Sequence, residues 1–435
     1  MSDLHERLRT LDYLPQPDLW SEIEARAVAA PARPVTGSTP TVVVVGILLA
    51  ILGGAAIFAS GLLPPPAPFP SEIPSQTPRE SPPATPVVDV EPQWEWIGTG
   101  PMVAPRGEGH TVTLLGDGRV LVAGGNASGI GLTAGAELYD PETGTWRATR
   151  DMLVARFDHS ATLLPDGRVL VAGGTQPASG GVFATSELYD PETETWSASN
   201  LMNEARTGHT ATLLPDGRVL IAGGRGWISE DGGWDMGDLA SAEVYDPTTG
   251  TWSRTTDMAE ARDVSTATLL LDGRVLIVGQ SAQLYDPASA TWTVTGRVRA
   301  HGSHTATLLR DGRVLVAGGS GLGSQGAELY DPQANAWTQT GTMAERRAYF
   351  AAGRLPDGRV LVTGSGDGGY GGSRTAELYD PDTGTWIPVR NMLSTHGYHE
   401  GITLDDGRFL VVGGLFGQLS ANDASAEILD VGGES

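Results

Sequence analysis

The 435-residue chain contains no cysteine and no lysine. The first absence excludes disulfides, thiolate metal sites, a Cys nucleophile and lipid attachment through sulfur. The second makes all 28 basic residues arginine, a bias that fits a GC-rich genome and carries no mechanism. Charge is sparse, with Asp, Glu, Lys and Arg together only 18% of residues, while glycine is abundant at 59. That balance favours many short strands and tight turns over long surface helices. The formal net charge is −24, nearly all of it beyond residue 40. A surface this acidic repels phosphate backbones, which argues against nucleic acid as a partner.

Residues 41–63, TVVVVGILLAILGGAAIFASGLL, form an uncharged apolar run. As a helix it would extend about 35 Å, enough for a hydrocarbon core of about 30 Å, so a single transmembrane helix is expected there. Forty residues precede it and no basic cluster abuts it, which argues against a cleaved signal peptide. Arg26 and Arg33 lie close on the N-terminal side, and the first arginine beyond the run is Arg79. The bias orients residues 1–40 to the cytoplasm and the rest outside the cell membrane. Residues 64–91 include ten prolines and are expected to form an extended linker reaching on the order of 80 Å. In the tail, Leu4, Leu8 and Leu11, and then Trp20, Ile23 and Ala27, have helical spacing. The tail resembles those preceding the membrane helix of bacterial anti-sigma-like proteins, without that family's zinc-binding Cys/His set.

Self-similarity dominates from residue 92 to 431. HTVTLLGDGRVLVAGG (110–125) leads to AELYDPETGTW (136–146), and HSATLLPDGRVLVAGG (159–174) leads to SELYDPETETW (186–196). Further copies start near 209, 265, 304, 350 and 399. Each copy encodes four short strands: TATLL, an Asp-Gly hairpin turn, the apolar RVLVAGG, then AELYD, a Pro-containing turn and a strand at Trp. The tryptophans Trp96, Trp146, Trp196, Trp252, Trp292, Trp337 and Trp386 count seven blades. The last copy ends without its Trp, so the Trp96 segment is expected to supply the missing strand and close the ring. The recurring Gly-Gly, Tyr and Trp resemble the kelch family, and the LPDGRVLVAGG wording is similar to bacterial kelch propellers related to that of galactose oxidase. The resemblance implies an all-β, seven-bladed kelch propeller. Gln280, Ser365 and Leu429 depart from the pattern in blades that are still expected to form.

Strand order assigns the near-identical Asp-Gly and Asp-Pro turns to one face. The other carries the loops between blades and the variable second-to-third loops, where binding is usually written. Aromatics outside the repeat pattern concentrate there, and the candidate ligand-binding residues are Trp227, Trp234, Tyr349, Tyr370, Tyr398 and Phe416. The loop 225–241 adds four acids at a spacing that matches no standard calcium loop, and is expected to be solvated. Arg106, Arg156, Arg206, Arg262 and Arg347 recur before the first strand, followed by His110, His159, His209, His304 and His399. Recurrence points to architecture, with hydrogen bonds tying the loops between blades. The functional alternative is a positive ring at the channel mouth that would enlist Arg347 and His399.

A galactose oxidase-like copper site needs a Tyr crosslinked to Cys and is excluded here. No sialidase box, Gly-x-Ser-x-Gly elbow or His-Glu-x-x-His helix is present. No cofactor or metal is expected, and the leading reading is a membrane-anchored binding module for an extracellular protein or glycan. One alternative is an enzyme of the sialic acid epimerase kind, drawing acid and base from His301, His304, His396, His399, Glu400 and Arg347. The other is a sensor signalling through residues 1–40.

Overall fold

The computed structural model describes residues 94–431, apart from 128–130, 177–180, 231–232, 297, 299–301, 322, 367–371, 417–420 and 423. The tail 1–40, the apolar run 41–63 and the linker 64–91 lie outside the described residues. Among the described residues no helix is long and apolar enough to cross a membrane.

Seven four-stranded antiparallel sheets form the blades of a propeller. In the first blade the strands run Thr111–Leu114, Val120–Ala123, Ala136–Asp140 and Thr145–Ala148 from the channel outwards. Innermost strands of successive blades abut one another all the way round, the seventh meeting the first. The Asp-Gly turn works because Gly118 takes φ +84° and Asp117 accepts the Arg119 amide at 3.1 Å. In the Asp-Pro turn, Asp140 Oδ1 accepts the amides of Glu142 and Thr143 at 2.9 and 3.2 Å. The second strand is buried on both faces in every blade.

Seven apolar clusters fill the seven gaps between blades. In the gap between blades 1 and 2, Leu121, Ala123 and Leu138 meet Val169, Val171, Tyr189 and Trp196. Tyr189 pairs with Trp196 across the third and outer strands, ring centroids 4.9 Å apart. The paired glycines let a blade lean on the next one: a Cβ on Gly173 (φ +66°) would lie 2.5 Å from the Arg206 carbonyl. Gly173→Ala is therefore expected to destabilise by about 2 kcal/mol or more, from left-handed strain plus the clash. A denaturation midpoint equal to wild type would refute that close approach.

The seventh blade is closed as expected. Glu95–Gly98 pairs with Ala426–Asp430 in the register Glu95↔Asp430 to Gly98↔Glu427. Leu429, in place of Tyr, packs with Trp96 and Phe409. Blades 4 and 6 keep all four strands despite Gln280 and Ser365.

Candidate binding face around the channel mouth

The frame of the face is a repeated clamp. Arg106, Arg156, Arg206 and Arg347 are at most 1% exposed and pair with Glu137, Glu187, Glu243 and Glu377 at 2.9, 2.5, 3.2 and 2.9 Å. Each Glu comes from the third strand and also accepts two loop amides, as Glu187 does from Leu153 and Val154. Each Arg further donates to two carbonyls, for Arg156 those of Gly173 and Thr185. One ion pair thus fixes the loop entering a blade to that blade's own Gly pair and third strand. Blade 4 substitutes Gln283, whose Oε1 accepts the Ala259 amide at 2.9 Å. Blade 7 substitutes His396, which lies 2.8 Å from both Gly413 O and Glu427 Oε1.

The histidines stitch neighbouring blades. His159 Nε2 meets Thr111 Oγ1 at 3.1 Å, His209 Nε2 meets Ser160 Oγ at 2.9 Å, and His399 Nε2 meets Thr363 Oγ1 at 2.9 Å. Burial pushes His110 and His209 down to about 3, with Arg106 and Arg206 adding to it, and holds His159 and His399 well below the usual range. These imidazoles are uncharged at neutral pH. The recurring Arg and His are architectural, and they give the mouth no positive ring.

One residue further out, each loop passes through the left-handed region just before the inner strand. The seven positions are Gly109, Asp158, Gly208, Val264, Ser303, Tyr349 and Tyr398, with φ between +40° and +68°. Amides run along this ring, from Asp158 to Gly109 O, Gly208 to Asp158 O, Tyr349 to Ser303 O and Tyr398 to Tyr349 O, at 3.0–3.1 Å. Five of the seven carry side chains at a strain cost of about 1 kcal/mol or more each. Tyr349 and Tyr398 stack with centroids 4.2 Å apart and planes at 23°. Tyr349 remains 39% exposed.

Beside that pair lies a cavity of about 220 Å³ lined by Gly109, His110, Thr111, Val112, Asp158, His159, Ala161 and Glu400. Asp158 and Glu400 are exposed to the water of the mouth while lining this cavity between protein groups. Burial, reinforced by Glu108, raises Asp158 to about 6, and burial, reinforced by Asp158, raises Glu400 to about 7.

Ribbons rise from part of the rim. The second-to-third loops of blades 7, 1, 2 and 3 rise as two-stranded ribbons: Leu415–Phe416 with Ala421–Asn422, Asn126–Ala127 with Gly131–Leu132, Thr175–Gln176 with Gly181–Val182, and Arg225–Glu230 with Gly233–Asp238. Among the described residues, blades 4, 5 and 6 carry none.

In sequence, the kelch motif profile matches residues 232–259. With that match set in a closed ring of seven Tyr-and-Trp blades, the assignment follows. The domain is a kelch β-propeller. No curated protein matches the chain. Among solved structures it is similar to a fungal alcohol oxidase with catalytic diversity among the AA5 family, in complex with copper. That similarity has TM-score 0.62 at 19% identity, over 77% of this chain and 76% of that one, and it bears on the fold alone. Among the described residues no group of three or more His, Cys, Asp or Glu is placed to hold a metal ion. A kelch propeller of this kind suggests a protein-binding module.

The residues singled out in the sequence fall into three groups. Tyr349 and Tyr398 come together at the mouth, and Trp227 is 43% exposed on the ribbon of blade 3, opposite Met236. Arg347 and His399 lie inside the kelch frame. Tyr370, His301 and the side chains of Trp234 and Phe416 lie outside the described residues; in backbone register Trp234 opposes Ser229 and Phe416 opposes Ala421. The loop 225–241 pairs into a ribbon of six residue pairs, with Asp235 and Asp238 exposed. Asp158 was not singled out at all.

Proposed function

We propose that this kelch propeller is a binding module, held outside the cell membrane by residues 41–63, that receives an extracellular protein or glycan over its channel mouth. The supporting observation is the stacked Tyr349–Tyr398 pair. Two large aromatics sit side by side in a backbone conformation that favours glycine, partly open to solvent, at the axis of a rigid ring. Strain of this kind persists where a scaffold imposes it and clusters at binding sites. Trp227 on the ribbon of blade 3 supplies a second apolar contact, and the sequence places Trp234, Tyr370 and Phe416 on the same variable face.

The test is a screen of extracellular proteins and glycans against the full-length protein in vesicles, repeated with Tyr349→Gly and with Trp227→Ala/Trp234→Ala. A saturable ligand should weaken at least about tenfold in each variant, the loss typical of a central aromatic anchor. Tyr349→Gly should melt no earlier than wild type, since glycine relieves about 1 kcal/mol of left-handed strain. A ligand that binds every variant equally, or the absence of any ligand, would overturn this reading.

A further inference from the structure

The arrangement of charge at the mouth identifies the ligand more closely, resting on the reading of the loop face as the binding face. We infer that the mouth takes a basic segment of a protein partner: one Arg or Lys head enters the cavity between Asp158 and Glu400 while adjacent residues lie across Tyr349 and Tyr398.

Three observations converge. First, the arginines nearest this face are held internally. Arg106, Arg156, Arg206 and Arg347 are buried in clamps, each against its own glutamate. Asp158 and Glu400 have no such partner among the described residues, and the charges acting on them are other carboxylates, Glu108 on Asp158 and Asp158 on Glu400. The remaining titratable groups of the cavity wall, His110 and His159, are uncharged. A cation entering here finds two carboxyl groups with no ion-pair partner among the described residues.

Second, the geometry joins this cavity to the aromatic pair. In ring order the positions run Tyr349, Tyr398, Gly109, Asp158, and Gly109, between Tyr398 and Asp158, has no side chain. A Cβ at Gly109 would fall 2.6 Å from Asp158 Oδ1, so the carboxylate occupies the space a side chain at Gly109 would take. Glu400, two residues after Tyr398, lines the same cavity. Carboxylates beside an aromatic face suit a guanidinium or ammonium by ion pairing and cation–π attraction together. Third, the cavity of about 220 Å³ is smaller than a typical small-molecule pocket of about 300–1,000 Å³ and suits a side-chain head.

The experiment measures fluorescence anisotropy of labelled hexa-arginine, hexaglutamine and hexaglutamate peptides on the full-length protein at about 0.15 M salt, where long-range attraction is screened. Asp158→Asn/Glu400→Gln is compared with Glu142→Gln/Glu192→Gln, which removes equal charge from exposed turns on the opposite face. Asn tolerates the left-handed backbone and Gln matches Glu in shape, and a thermal melt of each variant verifies folding. Hexa-arginine should bind in preference to both other peptides, weaken about tenfold or more in the mouth variant, and change less than about twofold in the turn variant. Affinity should rise from pH 5 to pH 8 as Asp158 and Glu400 ionise, and the mouth variant should lose that rise. Equal losses in both variants, or hexa-arginine binding no better than hexaglutamine, overturns the inference. If the screen also yields a ligand that is lost in Tyr349→Gly but indifferent to the mouth carboxylates, the binding module stands and the basic partner falls.

Discussion

Replacing Arg156 with Met should destabilise the propeller by about 3–5 kcal/mol, because it leaves the Glu187 carboxylate buried without its counter-charge. The magnitude follows from what the two groups hold. Arg156 is fully buried and donates to Gly173 O, Thr185 O, Thr185 Oγ1 and Glu187. Methionine fills much of the volume but satisfies none of these acceptors. The informative control is Glu187→Gln. Blade 4 carries that chemistry naturally: Gln283 still accepts the Ala259 amide, and Arg262 turns to Ser281 and towards Glu260 at 3.8 Å. Glu187→Gln should therefore cost distinctly less than Arg156→Met, since a neutral amide keeps a loop contact and strands no anion. Urea unfolding of both variants decides. A loss below about 1 kcal/mol for Arg156→Met would mean that apolar packing alone holds the loops.

The clamp also shows where sequence reading succeeded and stopped. The frame was legible because each signal repeats. Asp-Gly needs positive φ at every hairpin, the apolar second strand demands cover on both faces, and Trp96 completes a blade that lacks its own Trp. The arginines were read as architecture with a positive mouth as the alternative, and their partner went unnamed. The missing signal was Glu137, Glu187, Glu243 and Glu377, an acid set among apolar neighbours in the third strands of blades 1, 2, 3 and 6. A carboxylate between core residues needs a counter-charge; the arginine after each Asp-Gly turn is taken up by that turn's own Asp, as Arg119 is by Asp117, which leaves the arginine before the first strand.

Asp158 was harder to see because periodicity works against it, and Glu400 was singled out only as a candidate acid or base. Asp158 stands where other blades have Gly, Val, Ser or Tyr, and Glu400 where they have Thr, Ser or Ala. A single departure in one copy reads as drift until the ring sets both departures at one cavity. The ribbon of blade 3 was missed for a related reason: its four acids drew attention to charge, while the Asp-Gly-Gly turn between Trp227 and Trp234 marked a hairpin. Constant positions build the wheel, and what is particular to this protein lies in the exceptions.

Trp96→Ala should be the most damaging of the outer-strand tryptophan substitutions, at about 3–5 kcal/mol and with loss of ring closure. Trp96 is 7% exposed, packs in the cluster of Phe409, Val411 and Leu429, and donates Nε1–H to the Arg390 carbonyl at 2.9 Å. Trp146 is the matched comparison, donating to Thr99 Oγ1 at 3.1 Å from the outer strand of blade 1. The difference is covalent. Trp146 follows its pairing strand through a short turn, so Trp146→Ala loosens a strand that remains tethered next to its partner. Glu95–Gly98 reaches Ala426–Asp430 from the far end of the domain sequence, and only non-covalent contacts keep it there. Once it leaves, the edge of Ala426–Asp430 is bare and offers itself to another chain. Trp96→Ala should therefore yield an N-terminal segment cut rapidly by protease ahead of global unfolding, together with concentration-dependent association. Trp146→Ala should show a lower melting temperature with neither. Equal proteolysis of the two variants would show that the closing strand is no weaker a seam than any hairpin in the ring.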